Sequence, residues 1–197
     1  MKNLSCQSMI KLKPLVIFAL SFSLILTASV DAQNANHLQQ LISTNQCVRC
    51  RLKDANLKGM NLSGAQLPQA ILIGVNLNGA NLKGADLRGA NLKDANLSNA
   101  DLRGANLDDV NLTGANLINA NLSDVKLRTE GLTDVNMQGA DLTRADLRSA
   151  SLFRVNLRGA NLTQANFGNA YMREIDAKGA SFCGTIMPNR RNIGRCQ

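Results

Sequence analysis

The chain has 197 residues, 22 Lys+Arg against 14 Asp+Glu, and a formal charge of +8. Aromatic residues are only 3%, with no Trp, so the usual large core fillers are missing and the interior must be built from smaller side chains. One His, one Tyr and three Pro leave little acid–base chemistry to distribute.

The first segment carries Lys2, Lys11 and Lys13 and no acid; an apolar-plus-Ser run follows from Leu15 to Leu26, then small residues ending in Val30-Asp31-Ala32. A charged start, a short apolar run and a small −3/−1 pair predict a secretory signal peptide over residues 1–32, cleaved after Ala32. The run is shorter than the about 20 residues a spanning helix needs, so an uncleaved anchor is the lesser alternative and no membrane span is expected after cleavage. Cys6 precedes the run and cannot be a lipoprotein cysteine. The mature chain is unevenly charged: residues 101–146 sum to −4 and residues 147–197 to +6. An acidic waist between basic ends is a poor field for nucleic acid or anionic lipid.

Leu38, Leu41 and Ile42 fall at i, i+3 and i+4, and with Asn36 as N-cap they predict a short capping helix within residues 33–46. From residue 47 to 187 the pattern changes to a five-residue period. From 52 to 187 there are 28 consecutive positions in steps of five without an insertion, and Leu fills 22 of them. Two residues earlier Ala fills 18 positions and Val five; the residue between is Asn or Asp in 19. The unit reads Ala-(Asn/Asp)-Leu-x-x, as in Ala80-Asn81-Leu82-Lys83-Gly84. A period of five suits neither a helix nor a long strand. It suits a coil that turns a corner every fifth residue, with Gly, Asn or Asp at the turn position that needs positive φ. Gly84, Gly104, Asp54, Asp94 and Asn119 are examples.

This unit resembles the pentapeptide repeat family over essentially all of residues 50–187. The resemblance implies an all-β fold, a right-handed quadrilateral β-helix with four repeats per coil and about seven coils, roughly 34 Å long at strand spacing. Leu would line the axis, Ala would leave room for it, and Asn side chains would stack in ladders. Leu41 to Cys50 resembles the opening segment, and Ser181 to Pro188 the closing segment, of cyanobacterial members of the family. Pro188 stops the pattern, leaving residues 188–197 as a basic capping tail. In such a rod Cys47 and Cys50 lie at one end and Cys183 and Cys196 at the other, so the disulfides are Cys47–Cys50 and Cys183–Cys196, or none. The same separation excludes a four-Cys zinc site.

His37 reads as a solvated surface residue and Asp108–Asp109 as solvated turn residues, so no catalytic residue, metal or cofactor is expected. Three departures from the repeat stand out. Glu130 occupies an inward position and Gly131 replaces the usual Asn; turning Glu130 to solvent avoids an unpaired buried charge, and a partner-sensitive bend is the functional alternative. Ile71, Ile73, Phe153 and Tyr171 sit outward on one side of the square, a candidate partner patch against the plainer reading of scattered apolar residues. Arg88, Arg128 and Arg148 share a column interrupted by Asp108, read as an ion-pair face with Asp86 and Asp146. The expected function is a non-enzymatic, monomeric, protein-binding or scaffold rod exported to the thylakoid lumen or periplasm, with no nucleic-acid partner. The alternatives are a redox-active dithiol at Cys47/Cys50, and the DNA mimicry by which some family members inhibit topoisomerase, which the basic charge and the export signal disfavour.

Overall fold

A Leu and the Ala two residues before it point to the same side of an extended chain, and in this protein that side is the interior. The computed structural model describes residues 32–188 and 192–193. From Leu52 to Phe167 every fifth residue is a Leu, Met or Phe with 1% exposure or less. Parallel bridges join residue i to residue i+20, as at Asn56–Asn76, Asn116–Asn136 and Asn156–Asp176. Four five-residue units therefore make one coil, and the chain climbs as a right-handed quadrilateral β-helix of about seven coils. Each Leu amide donates to the following coil, as Leu117 N–H to Asn136 O at 2.7 Å. Each central amide donates back, as Asn136 N–H to Ala115 O at 3.0 Å.

The corners explain the composition. Every fifth residue from Arg49 to Gly184 has positive φ, with Thr129 the one exception. Gly fills twelve of these positions, and Asn or Asp most of the rest. The small inward residue closes the corner by donating to the carbonyl three residues before it, as Ala115 N–H to Leu112 O at 2.8 Å. The contact is 3.2–3.3 Å at Val75, Val110 and Val125, at or just past the long end of the 2.8–3.2 Å found at the Ala corners. Among the described residues it is not made at Val135, Val155 or Ile175. The chain before each of these is instead drawn out into β1 (Leu132–Thr133), β2 (Ser151–Phe153) and β3 (Tyr171–Arg173), a parallel sheet in the same 20-residue register.

The Asn/Asp positions do more than stack. The residue after each Leu has an amide the ladder does not use, and a buried or half-buried amide needs an acceptor. All 19 Asn and Asp residues at the central position supply one through Oδ1, two residues back in the chain, as Asn116 Oδ1 to Ile118 N at 3.1 Å. Bonds along the column, such as Asn81 Nδ2 to Asn61 Oδ1 at 2.9 Å and Asn156 Nδ2 to Asn136 Oδ1 at 3.1 Å, are the less frequent use.

Helix α1 spans Ala32–Thr44, so the expected bounds of 33–46 move and Asn36 lies inside the helix rather than at its N-cap. It ends where Asn45 takes φ 56° and donates its amide to Leu41 O at 2.9 Å. Leu41 is buried and Leu38 half-buried against the core. The first coil has no coil before it to receive its central amides. His37 fills that role at one position: Arg51 N–H donates to His37 Nδ1 at 3.1 Å, so His37 is an edge cap and not a freely solvated side chain. At the other end Thr185 is fully buried, with its hydroxyl on Leu162 O at 2.6 Å. There β4 (Thr185–Ile186) pairs antiparallel with β5 (Asn192–Ile193), the described part of the predicted tail. The predicted signal segment lies outside the described residues apart from Ala32, the first residue of α1.

The acceptor role of Asn predicts a specific selectivity. Asn116→Ala, in an uninterrupted stretch of ladder, should cost about 1 kcal/mol in urea unfolding because the Ile118 amide loses its partner. Asn116→Asp, which keeps Oδ1, should cost clearly less. Equal losses from both would mean that the Asn amide group, rather than its oxygen, is what the corner needs.

Candidate functional site at the break in the repeat

Three residues depart from the repeat within one corner: Lys126 where Asn or Asp belongs, Glu130 where a small apolar residue belongs, and Gly131 where Asn belongs. The chain solves each problem separately. Lys126 cannot accept the Arg128 amide, and Asp108 of the preceding coil does so instead, with Oδ1 at 3.2 Å. Glu130 is exposed and Thr129 is turned inward in its place, 5% exposed. The Gly131 amide, which the ladder would join to Val110 O, donates to Thr129 Oγ1 at 3.1 Å, and that hydroxyl donates to Val110 O at 2.5 Å. One hydroxyl thus relays the lost ladder bond. Above the break one ladder bond is displaced by a residue, Ser151 N–H reaching Thr129 O at 2.9 Å, whereas Asn156 N–H reaches Val135 O at the usual spacing and the 20-residue register is kept.

Gly131 is required by proximity rather than by φ. A Cβ there would stand 2.5 Å from Val110 O and 2.8 Å from Asn111 Cα, both backbone atoms. The break leaves two adjoining hollows on the surface. One, about 440 Å³, is lined by Asp108, Asp109, Arg128, Arg148, Ser149 and Asn169. The other, about 670 Å³, shares Asp109, Arg128 and Ser149 and adds Val110, Asn111, Thr113, Thr129, Glu130 and Gly131.

Charge around the hollows is mostly paired. Arg128 holds Asp108 through Nη2 and through Nε at 3.1 Å, and its Nε lies 4.0 Å from Asp146. Arg148 grips Asp146 with two bonds of 2.8 Å. Arg88 pairs with Asp86 within its own repeat, two coils away from Arg128. Among the described residues Asp109 and Glu130 make no ion pair. The hydrogen bonds from Arg128 hold the Asp108 carboxyl below the usual carboxylate range in spite of its burial, and Arg148 does the same to Asp146.

The other singled-out residues are dispersed. Phe153 and Tyr171 occupy neighbouring coils, with Tyr171 59% exposed. The Phe153 ring is covered by the Arg154 guanidinium at 4.2 Å and approached by Arg173 at 5.6 Å. Ile71 and Ile73 are half-buried on the same face but four coils away, about 20 Å, so the four residues do not form one patch. Cys47 and Cys50 form a disulfide with Cα atoms 5.2 Å apart, and both are buried, at 0% and 2% exposure. Thiol exchange needs access to a sulfur, and this bond offers none without local opening. Cys183 is disulfide-bonded as well, while Cys196 lies outside the described residues. Among the described residues no group of three or more His, Cys, Asp or Glu side chains could hold a metal, and no helix is long and apolar enough to cross a membrane.

The geometry is that of a β-solenoid whose repeat residues are architectural and whose surface is interrupted at one corner. The pentapeptide repeat description matches in 8 copies over residues 50–89, 90–128, 132–148 and 150–187, and the chain belongs to that family. It is similar to HetL, a pentapeptide repeat protein involved in heterocyst differentiation regulation in the cyanobacterium Nostoc, with 31% identity over 75% of this chain and 83% of that one and a TM-score of 0.41. A pentapeptide repeat protein of the Arabidopsis thaliana thylakoid lumen shares 36% identity over 55% and 73%, TM-score 0.49. Rfr23 from the cyanobacterium Cyanothece shares 29% over 75% and 97%, TM-score 0.46. No curated protein gives a significant match.

Two predictions follow from this corner and its charges. Gly131→Ala should destabilise the rod by about 1–3 kcal/mol through backbone overpacking, while Gly89→Ala, whose added Cβ meets only the Gln69 side chain at 3.4 Å, should show only the smaller cost of a non-Gly residue at positive φ. Urea unfolding of both variants compares them directly. The second concerns acid. Arginine hydrogen bonds lower the carboxyl values of Asp86, Asp101, Asp108, Asp124, Asp134 and Asp146. Their contribution is complete above the unfolded-state value of about 3.9 and disappears as pH falls through the lower folded-state values. Thermal midpoints should therefore stay flat from neutrality to about pH 5 and decline below about pH 4. A midpoint that rises on acidification would contradict these assignments.

Proposed function

We propose that this chain is a non-enzymatic rod that presents its broken corner to a protein partner, after export through the signal segment to the thylakoid lumen or periplasm. The observation that carries the reading is the corner itself. Elsewhere the backbone repeats every 20 residues, and a repeating scaffold offers a partner many similar registers. The corner at Thr129–Gly131 is the one from Arg49 to Gly184 that lacks a positive φ, and the hollows beside it mark one register. Asp109 and Glu130, exposed and without cations of their own, give that position a local negative charge. Export is supported by the lysine-bearing start, the short apolar run and the small residues before Gln33.

The test is recovery of partners by the tagged full-length chain from its own cell, with fractionation of the compartments. The mature form should begin at Gln33 in an exported fraction and bring down a reproducible protein. Glu130→Lys, a change at an exposed side chain, should abolish that recovery without lowering the thermal midpoint. Recovery unchanged by Glu130→Lys, or a chain retained in the cytosol, would overturn the reading.

A further inference from the structure

We propose that the break divides the rod into two cooperative blocks, residues 46–128 and 132–187, and that the second block opens away from the first in a single step restrained by the Asp124–Arg144 pair that joins them. The proposal does not depend on the partner-binding reading.

In a solenoid each coil touches only its neighbours, so stability is a sum of coil and interface contributions and cooperativity is interrupted at the weakest interface. That interface is identifiable here. At 129–131 the direct bond from the Gly131 amide to Val110 O is replaced by a relay through one hydroxyl, and the next bond upward is displaced by a residue. Two solvent-open hollows adjoin this stretch, so its relay and the neighbouring amides are reached by water. The family match is interrupted at 129–131, and again at 149, although the five-residue step of the inward residues runs on unbroken through Leu127 and Leu132.

The blocks are also unequal. The first is closed by α1 and by the Cys47–Cys50 disulfide. The second is also closed at its end, by the β4–β5 pairing and a disulfide at Cys183, but it is about one coil shorter, and its last inward residues, Met172 and Phe182, are only half-buried. It is therefore the block that opens.

Ion pairs that bridge coils begin beside the break. Asp86–Arg88 and Asp101–Arg103 stay within a repeat, as does Asp146–Arg148 further on. Asp108–Arg128, Asp124–Arg144 and Asp134–Arg154 instead join consecutive coils, each spanning 20 residues. Of these, Asp124–Arg144 joins the two blocks, while Asp108–Arg128 lies at the end of the first and Asp134–Arg154 at the start of the second. The arginines are about half exposed, so salt weakens these clamps.

Hydrogen exchange of the full chain in increasing urea, read peptide by peptide at low and high salt, tests this. Amides of 132–187 should share one opening that is at least about tenfold more frequent than that of 46–128, with the step falling at 128–131. High salt should raise the opening of the second block alone. Thr129→Val, which removes the relay, should raise it about another tenfold, and Thr129→Ser should not. Protection that is uniform along the rod, or that declines evenly from Met187 toward α1 without a step, would overturn the proposal. Should Thr129→Val fail to fold, the position of the step and its salt response in the wild-type chain decide the matter alone.

Discussion

Each coil consumes 20 residues because each parallel bridge joins residue i to residue i+20. Most of the structure is a consequence of keeping that count. A single inserted residue would rotate every later Leu out of the axis, just as a one-residue slip in a sheet turns its whole apolar set to the wrong face. With four corners in 20 residues no segment is long enough to be a conventional strand, and the isolated bridges are bound together mainly by three amides per repeat, as those of Asn76, Leu77 and Gly79. The interior cross-section is therefore fixed, and it accepts Leu with Ala and takes a ring only toward the end, at Phe167 and the half-buried Phe182. The scarcity of aromatic residues is a geometrical result of the corner spacing.

The remaining amide at each corner accounts for the second strong bias in composition. Asn and Asp are disfavoured in ordinary strands because their side chains compete for nearby backbone groups. Here that competition is the use made of them: Oδ1 satisfies an amide that neither neighbouring coil can reach. The same requirement explains why Lys126 needs Asp108, and why the buried Asp108 carboxylate sits where it does although no other residue of its column is acidic.

Period, coil length, inward and outward sides and the positive-φ corners were legible in the sequence, because each is a statement about one residue class at a fixed spacing. Three features were not, and each depends on a contact between coils. The edge-capping role of His37 requires knowing that α1 passes over the Arg51 amide. The opening of the corners at Val135, Val155 and Ile175 is not set by residue type, since Val75, Val110 and Val125 keep the bond. The exposure of Glu130 follows from the cost of a buried charge, but the residue that replaces it inside, Thr129, is marked only by being a β-branched residue at a corner whose neighbours are Gly, Asn, Asp or another unbranched residue.

That replacement shows the break to be more than a lapse in the repeat. A lapse would leave orphaned groups, since a missing acceptor in a ladder is costly and nothing nearby is arranged to supply one. Here the Arg128 amide, the Gly131 amide and the Val110 carbonyl each find a substitute from a different residue. No buried side-chain polar atom among the described residues lacks a partner. Gly131 is also the one residue type that permits the close approach to Val110 and Asn111. Several residues that agree with one another only if the corner is irregular amount to a specified local structure. A local structure of this kind, in a rod whose regular alternative is available at every other corner, is where a position along the rod can be told apart from all the rest.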